Sequence, residues 1–359
     1  MEYSKKDMLD YYDNKINVHI LTEAKDDFLY NAKFQYKILR ELPKLEKQHG
    51  LDLIHSHHAH MSDVLYKLKG NRLPSVTTIH TTIKGQRESI DASAQPFHKL
   101  APSEKWQVLL YRPLLLFEKY SLEHCNDFIT VSNWMKKLLL ETYPNISTNI
   151  TTVYNGIDPN RYAPNNNKLE PLKDIKDPIV LFTSRMTTAK GAHYLVKAMP
   201  KIIKENKEVH FVFSGAGDAG VWVRQMEKYG VNSSYYTFLG YLDYDDLPKL
   251  YAEASMYMLP TLYENFPFRM LEAMSCGTPV IGTNICAIPE AIEDGENGLL
   301  IPTKNENAIA DAVIRLLGDE GHTKKLGKNA RRTVIEKFAW DNIIKCQIEV
   351  YEKVLEHST

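Results

Sequence analysis

Glu264 and Glu272 stand eight positions apart in the run TLYENFPFRMLEAMSCGTPVIGT (261–283), whose pattern reads as strand end, loop, helix and new strand. Pro267 suits a first helical position, where its missing N–H costs nothing. Met270, Leu271 and Met274 give the predicted helix an apolar stripe, and Gly277 stops it. Glu264 then lies at the helix mouth, with Glu272 about 7 Å further along the axis. Backbone amides at such a mouth hold an anion. Hydroxyl-binding carboxylates flanking an anion hole describe a pocket for a sugar joined to a diphosphate. On spacing alone a plainer alternative stands beside it, two surface glutamates of an amphipathic helix.

The segments that must position this run are of one kind. VLFTSRMTTAKGAHYLVKAM (180–199) is a second strand–loop–helix, with Arg185 and Lys190 in its loop. HFVFSGAGDAG (210–220) is a third, turning on Ser214, Gly215 and Gly217. FLGYLDYDDLPKLYAEASMYMLP (238–260) adds strand, turn, helix and strand, and ENGLLIP (296–302) a further strand. This alternation predicts an α/β fold of the doubly wound type, whose ligands bind at the carboxyl ends of the strands. Arg185, Lys190 and Glu264 all follow such strands, so they are expected to converge on one crevice.

These motifs join DLIHSHHAH (52–60), VTTIHTT (76–82), FITVSNWMKKLL (128–139), VYNGIDPNRY (153–162) and FAWDNIIKCQIEVYEKVL (338–355). In order and spacing they resemble the retaining nucleotide-sugar glycosyltransferases of the GT-B fold, in the large fourth family with the bacterial mannosyltransferases and sucrose synthases. The resemblance runs from about residue 15 to the C-terminus. It implies two Rossmann-like doubly wound domains with a cleft between them. Residues 1–164 would form the acceptor-binding domain and 165–341 the nucleotide-sugar-binding domain, with the polar stretch 165–178 at the boundary. A C-terminal helix, 342–359, would pack back on the first domain.

By the same resemblance, Arg185 and Lys190 neutralise the donor diphosphate, where fixed cations stabilise charge growing on the leaving phosphate. Glu264 faces the donor sugar hydroxyls and Glu272 the ribose hydroxyls. His80 lies beside the reacting carbon, although a strand-end histidine with a satisfied hydrogen bond is its plainer reading. Gly215, Tyr241, Asn265 and Phe266 complete the donor site. Asn155-Gly156 starts the interdomain hinge, with the glycine serving a turn. The implied activity is hexosyl transfer, with retention, from a nucleoside diphosphate sugar to a hydroxyl of a sugar, glycan or lipid-linked acceptor. Neither a metal nor any cofactor beyond the donor is implied.

The chain departs from the family pattern in several places. Ser184, Ser214 and Pro267 replace glycines, and Cys286-Ala287-Ile288-Pro289-Glu290 replaces a glycine-rich loop. Serine is tolerated where the backbone stays in an ordinary region. Pro267 is expected to remove one N–H from the anion-binding mouth. At the start, MEYSKKDMLDYYDN (1–14) is polar, and the first apolar strand, INVHIL (16–21), is like the family's second. The family's first strand, glycine loop and helix are therefore expected to be absent. Two alternatives follow. A second chain completes the N-terminal domain, or the shortened copy is a catalytically weak or inactive nucleotide-sugar-binding module.

Composition excludes other classes. The 359 residues suit two ordinary domains. With 44 basic and 45 acidic residues the formal charge is −1, so no field favours nucleic acid. Four cysteines, at 125, 276, 286 and 346, lack metal or disulfide spacing, as in a reducing cytosol. No leader-like or 18-residue apolar run stands out, so a cytoplasmic protein is expected. VLLYRPLLLF (108–117) reads as a core or interdomain helix, with peripheral membrane contact as the alternative. His55, His57, His58 and His60 resemble a metal cluster, but strand alternation sends neighbours to opposite faces. Asp243-Tyr244-Asp245 precedes a helix, which predicts capping rather than a manganese site.

Overall fold

The computed structural model of the chain describes residues 29–57, 70, 73–124, 127–165, 167–185 and 187–357. Its apolar runs form two all-parallel sheets. In the first, β1 (Ile54–His57), β2 (Ser75–Ile79), β3 (Asp127–Thr130) and β4 (Asn149–Thr152) lie side by side in chain order. Parallel neighbours need crossover connections, which helices supply. Here α1 (Leu29–His49) precedes β1; α2 (Ile83–Ala92), α3 (Pro102–Leu109) and α4 (Tyr111–His124) join β2 to β3; α5 (Asn133–Thr142) joins β3 to β4.

The second sheet follows the predicted alternation. Its elements are β5 (Ile179–Thr183), α6 (Ala192–Glu205), β6 (His210–Ser214), α7 (Ala219–Lys228), β7 (Tyr236–Gly240), α8 (Leu247–Glu253), β8 (Met256–Leu259), α9 (Phe268–Ser275), β9 (Val280–Thr283) and β10 (Gly298–Ile301). Their spatial order is β10-β9-β8-β5-β6-β7. Every residue of β5 and β6 is buried, as for strands covered on both faces. Val180 and Phe182 pack under α6 with Leu195 and Met199, while Leu181 faces the opposite core with Met270, Leu271 and Met274 of α9. The chain steps outward from β5 to β7 and returns with β8 beside β5, so strand order reverses between them. Ligands of such sheets bind in the crevice at that reversal.

After α10 (Glu306–Gly318), α11 (Glu320–Thr333) and a π-helical turn (Val334–Phe338), the chain recrosses to the first sheet as α12 (Trp340–Glu356). The outgoing and returning crossings run side by side. Ile157 N–H donates to Phe338 O at 2.9 Å, and Trp340 N–H to Ile157 O at 2.9 Å. Val350 and Val354 of α12 then cover Val76, Ile129 and Val153 of the first domain.

Three local expectations are corrected. Pro267 is the extended N-cap of α9, at φ −75° and ψ 129°, not its first helical residue. The loop enters the helix one residue later, which leaves the Phe268 and Arg269 amides at the mouth. VLLYRPLLLF is not one core or interdomain helix. It breaks at Leu110 between α3 and α4, since Pro113 has no N–H to extend α3 and sits instead in the first turn of α4. Leu115 packs on the first domain's core, while Leu109 and Leu116 are 62% and 69% exposed. The acidic triplet before α8 caps nothing: the N-cap is Asp246, whose carboxylate accepts from Lys249 Nζ at 2.8 Å rather than from a helix amide, and Asp245 pairs with Arg161. INVHIL, and the expectation that the first unit is absent, lie outside the described residues. Among the described residues no helix is long and apolar enough to cross a membrane.

Candidate functional site

A cavity of about 550 Å³ opens between the two sheets at the carboxyl ends of β5 and β8. Lys190 ends the turn after β5, and its ammonium is ion-paired with the Glu264 carboxylate; the two side chains are 22% and 20% exposed. The loops bearing them are tied together, because Leu262 N–H donates to Ala189 O at 2.9 Å and Thr261 Oγ1 to the same oxygen at 3.3 Å. Beyond this pair lies the N-terminus of α9, which no side chain caps. Its unmatched amides and the helix dipole favour an anion.

Glu272 lies deeper on α9 and is 6% exposed. Arg269 Nη1 donates to its Oε2 at 2.9 Å and Tyr162 OH to its Oε1 at 3.4 Å. Burial, and then the neighbouring Glu272, push the Tyr162 phenol far above its ordinary pKa, so it stays a donor. Tyr244 forms part of the same wall, with the Arg161 guanidinium 3.8 Å from its ring centroid.

The first domain contributes His80, which directly follows β2 and faces the cavity. His57 Nδ1 and His80 Nε2 share a hydrogen bond of 2.8 Å, and burial holds His57 below the ordinary histidine pKa. The His80 carbonyl accepts from Asn265 Nδ2 of the second domain. His55 is bound instead by Tyr351 OH at 2.6 Å and Thr78 Oγ1 at 2.7 Å. His58 and His60 lie outside the described residues. Among the described residues no group of three His, Cys, Asp or Glu side chains is spaced to hold a metal ion.

Two family patterns match the chain. That of "Glycosyltransferase Family 4" covers residues 4–161, and that of "Glycosyl transferases group 1" covers residues 165–333. An uncharacterized glycosyltransferase of Methanocaldococcus jannaschii is 30% identical over 329 residues, which is 87% of this chain and 80% of that protein. The chain belongs to the group 1 glycosyltransferases. Its fold is GT-B. Sucrose-phosphate synthase from Thermosynechococcus elongatus superposes with a TM-score of 0.76 at 24% identity, covering 94% of this chain and 82% of that one. Anabaena HepE, solved in complex with UDP, gives 0.73 at 18% identity, covering 97% and 89%.

Within this glycosyltransferase, the cavity wall gathers His80, Lys190, Glu264, Asn265, Phe266 and Glu272. Three other candidates stand off that wall. Arg185 is exposed on the loop after β5. Tyr241 is 69% exposed just past β7. Gly215, at φ 140°, packs behind the cavity, where a Cβ would fall 1.9 Å from Ser184 O. Ser184 and Ser214 are absent from the positive-φ residues, so their backbones are ordinary; Cys286 has φ 49°, the left-handed region that favours glycine. Gly156 serves close packing rather than a turn, since a Cβ would lie 2.6 Å from Trp340 Cδ1.

Sequence reasoning missed Arg269, whose spacing of three from Glu272 on one helix was the available signal. Tyr162, Tyr244 and Arg161 carried none. Glu290 was likewise missed as a tie between the domains. It accepts from the Asn133 and Trp134 amides of α5 at 2.9 and 2.7 Å, and from Tyr154 OH at 2.8 Å.

Proposed function

We propose that this glycosyltransferase moves a sugar from a nucleoside diphosphate sugar to an acceptor hydroxyl, with retention of configuration. The observation that carries the reading is the Lys190–Glu264 pair at the mouth of α9, with Glu272 buried further along the same helix. On this reading Lys190 and the free α9 amides hold the diphosphate, and Arg185, on the same loop as Lys190, brings a second cation to it. Glu264 takes hydroxyls of the sugar and Glu272 those of the ribose, where a carboxylate accepts two bonds. The solved UDP complex of HepE supports a nucleoside diphosphate as ligand.

The acceptor enters from the first domain beside His80. As the bond from the sugar carbon to the leaving phosphate oxygen breaks, the acceptor oxygen bonds to that carbon from the same face. Its proton passes to a donor phosphate oxygen. Lys190 and the helix mouth stabilise the charge left on the diphosphate. Both carboxylates are then occupied with hydroxyls, unlike the acid–base pair of a glycosidase. No step of this reading calls on a metal.

The test is incubation with UDP-, GDP- and ADP-sugars, with and without sugar, glycan and lipid-linked acceptors, while nucleoside diphosphate release is followed. Acceptor-dependent release with one donor is expected, and that nucleotide at a hundredfold excess over Kd should stabilise the fold by about 2.7 kcal/mol. No release and no thermal shift with any nucleotide would sink the proposal.

A further inference from the structure

Glu264 is flanked by two side chains that reach out of their own domain. Asn265 donates to the His80 carbonyl, and Tyr263, 9% exposed, sets its ring edge-on to Trp134 with centroids 5.7 Å apart. The Tyr263 phenol lies against Gly85, in the first turn of α2. A Cβ at Gly85 would fall 1.9 Å from Tyr263 Oη and 2.9 Å from its Cζ. Gly85 has no positive φ, so its backbone accepts alanine and only the space forbids it.

Both walls of this notch are fixed. On the α2 side, Thr82 Oγ1 accepts from Gly85 N–H at 2.8 Å. The fully buried Glu118 accepts from Ile83 N–H at 3.0 Å and from Tyr143 OH at 2.6 Å. On the other side, the Tyr263 carbonyl accepts from Thr261 Oγ1 at 3.0 Å, and Leu262 N–H donates to Ala189 O at 2.9 Å, one residue before Lys190. The Tyr263 ring, the Glu264 carboxylate and the Lys190 ammonium therefore move together.

We infer that Tyr263 is a positioning residue: seated in the Gly85 notch, it sets the Lys190–Glu264 pair of one domain against His80 of the other. The inference rests on the transferase reading of the site. A displacement of about 1 Å at a reacting centre lowers turnover on the order of a hundredfold. The clash made by a single methyl at Gly85 is of that size.

The experiment compares Gly85→Ala, Tyr263→Phe and the double variant. Tyr263→Phe keeps the ring and removes the atom nearest Gly85. Gly85→Ala is expected to lower kcat at least about tenfold, while the Kd for UDP, or whichever nucleotide the parent binds, stays within about threefold. Tyr263→Phe alone costs less, and in the Gly85→Ala background it restores part of the lost kcat, because it removes the 1.9 Å contact and leaves only the 2.9 Å contact of Cζ. A Gly85→Ala enzyme with parental kcat overturns the inference, as does a double variant no better than Gly85→Ala. Should Gly85→Ala fail to fold, a folded, nucleotide-binding double variant supports the contact and an unfolded one refutes it. Should the parent transfer no sugar, the transferase reading fails on its own, and the notch is judged by urea midpoints. A midpoint lowered by Gly85→Ala and recovered by Tyr263→Phe supports it; additive effects reject it.

Discussion

Replacing Lys190 by alanine separates two roles of its ammonium. The first is to neutralise Glu264, since each partner is about four-fifths buried, at 22% and 20% exposure. Unit charges about 4 Å apart interact by ~4 kcal/mol at an effective dielectric of ~20. Desolvation of both groups offsets much of that. The net loss of stability should be about 1–2 kcal/mol, which lowers Tm by less than about 8 °C for a domain of 150–250 residues. The second role is to meet charge on the leaving diphosphate, where loss of one placed donor costs about 2.7–4 kcal/mol, a factor of 10²–10³ in kcat. Lys190→Ala should therefore remain folded and lose turnover on the order of a hundredfold or more. The double variant Lys190→Ala/Glu264→Gln, compared with Glu264→Gln alone because Glu264 also meets the donor sugar, separates the roles: it removes the stranded carboxylate charge while leaving the diphosphate unmet. Thermal melting should recover in it; nucleoside diphosphate release should not. Turnover in the double variant equal to that of Glu264→Gln alone would refute the reasoning, since Lys190 would then serve only Glu264.

Glu290→Ala removes the acceptor of two α5 amides and of Tyr154. It should cost about 2 kcal/mol, as charge-assisted bonds to a helix N-terminus do, and a urea midpoint within error of the parent would contradict this. Burial, with Lys197 adding to it, lowers the His193 pKa to about 4, and burial lowers His210 and His57 as well. The unfolded chain takes up these protons near 6.5 while the fold resists them, so below that pH the unfolded state binds more protons. Stability should thus be level above about pH 7 and fall from about 6.5 to 4, with His193→Gln flattening part of the decline; a midpoint constant from pH 8 to 4 would show the opposite. Burial pushes the Cys276 thiol up to about 12 and Cys286 to about 11, whereas Cys346 is exposed. Iodoacetamide at mildly alkaline pH should label Cys346 well before the other two, as peptide mapping can check, and equal rates would count against the packing around them.

Much of the second domain was legible because its signals are local. Five consecutive buried residues in β5 and in β6, the Met270-Leu271-Met274 stripe and the stop at Gly277 each write one element within one segment. The convergence of Lys190 with Glu264 was legible through topology, since both follow strands that the strand-order reversal makes neighbours. What failed to show in sequence is set by distant partners. The cation–π pair of Arg161 and Tyr244, the Tyr162 bond to Glu272 and the Glu290 bonds to α5 each join segments tens of residues apart or more. No periodicity records such choices. The acidic triplet before α8 misled for a related reason: Asp245 has a local role available to it, but Arg161 offers a stronger partner.

The return of α12 to the first sheet fixes an order of events during synthesis. The second sheet and its helices come from one continuous stretch, from β5 to α11, so every piece of its core has left the ribosome before α12 does. The first domain is made earlier and finished later. Val76, Ile129 and Val153 lack their cover until Val350 and Val354 emerge some two hundred residues after β4. Vectorial synthesis ordinarily lets the domain nearest the N-terminus fold first. Here the later domain completes first, and the earlier one waits with an open apolar face through most of translation. A circular permutant carrying α12 ahead of β1 would reverse that sequence and shorten the exposure.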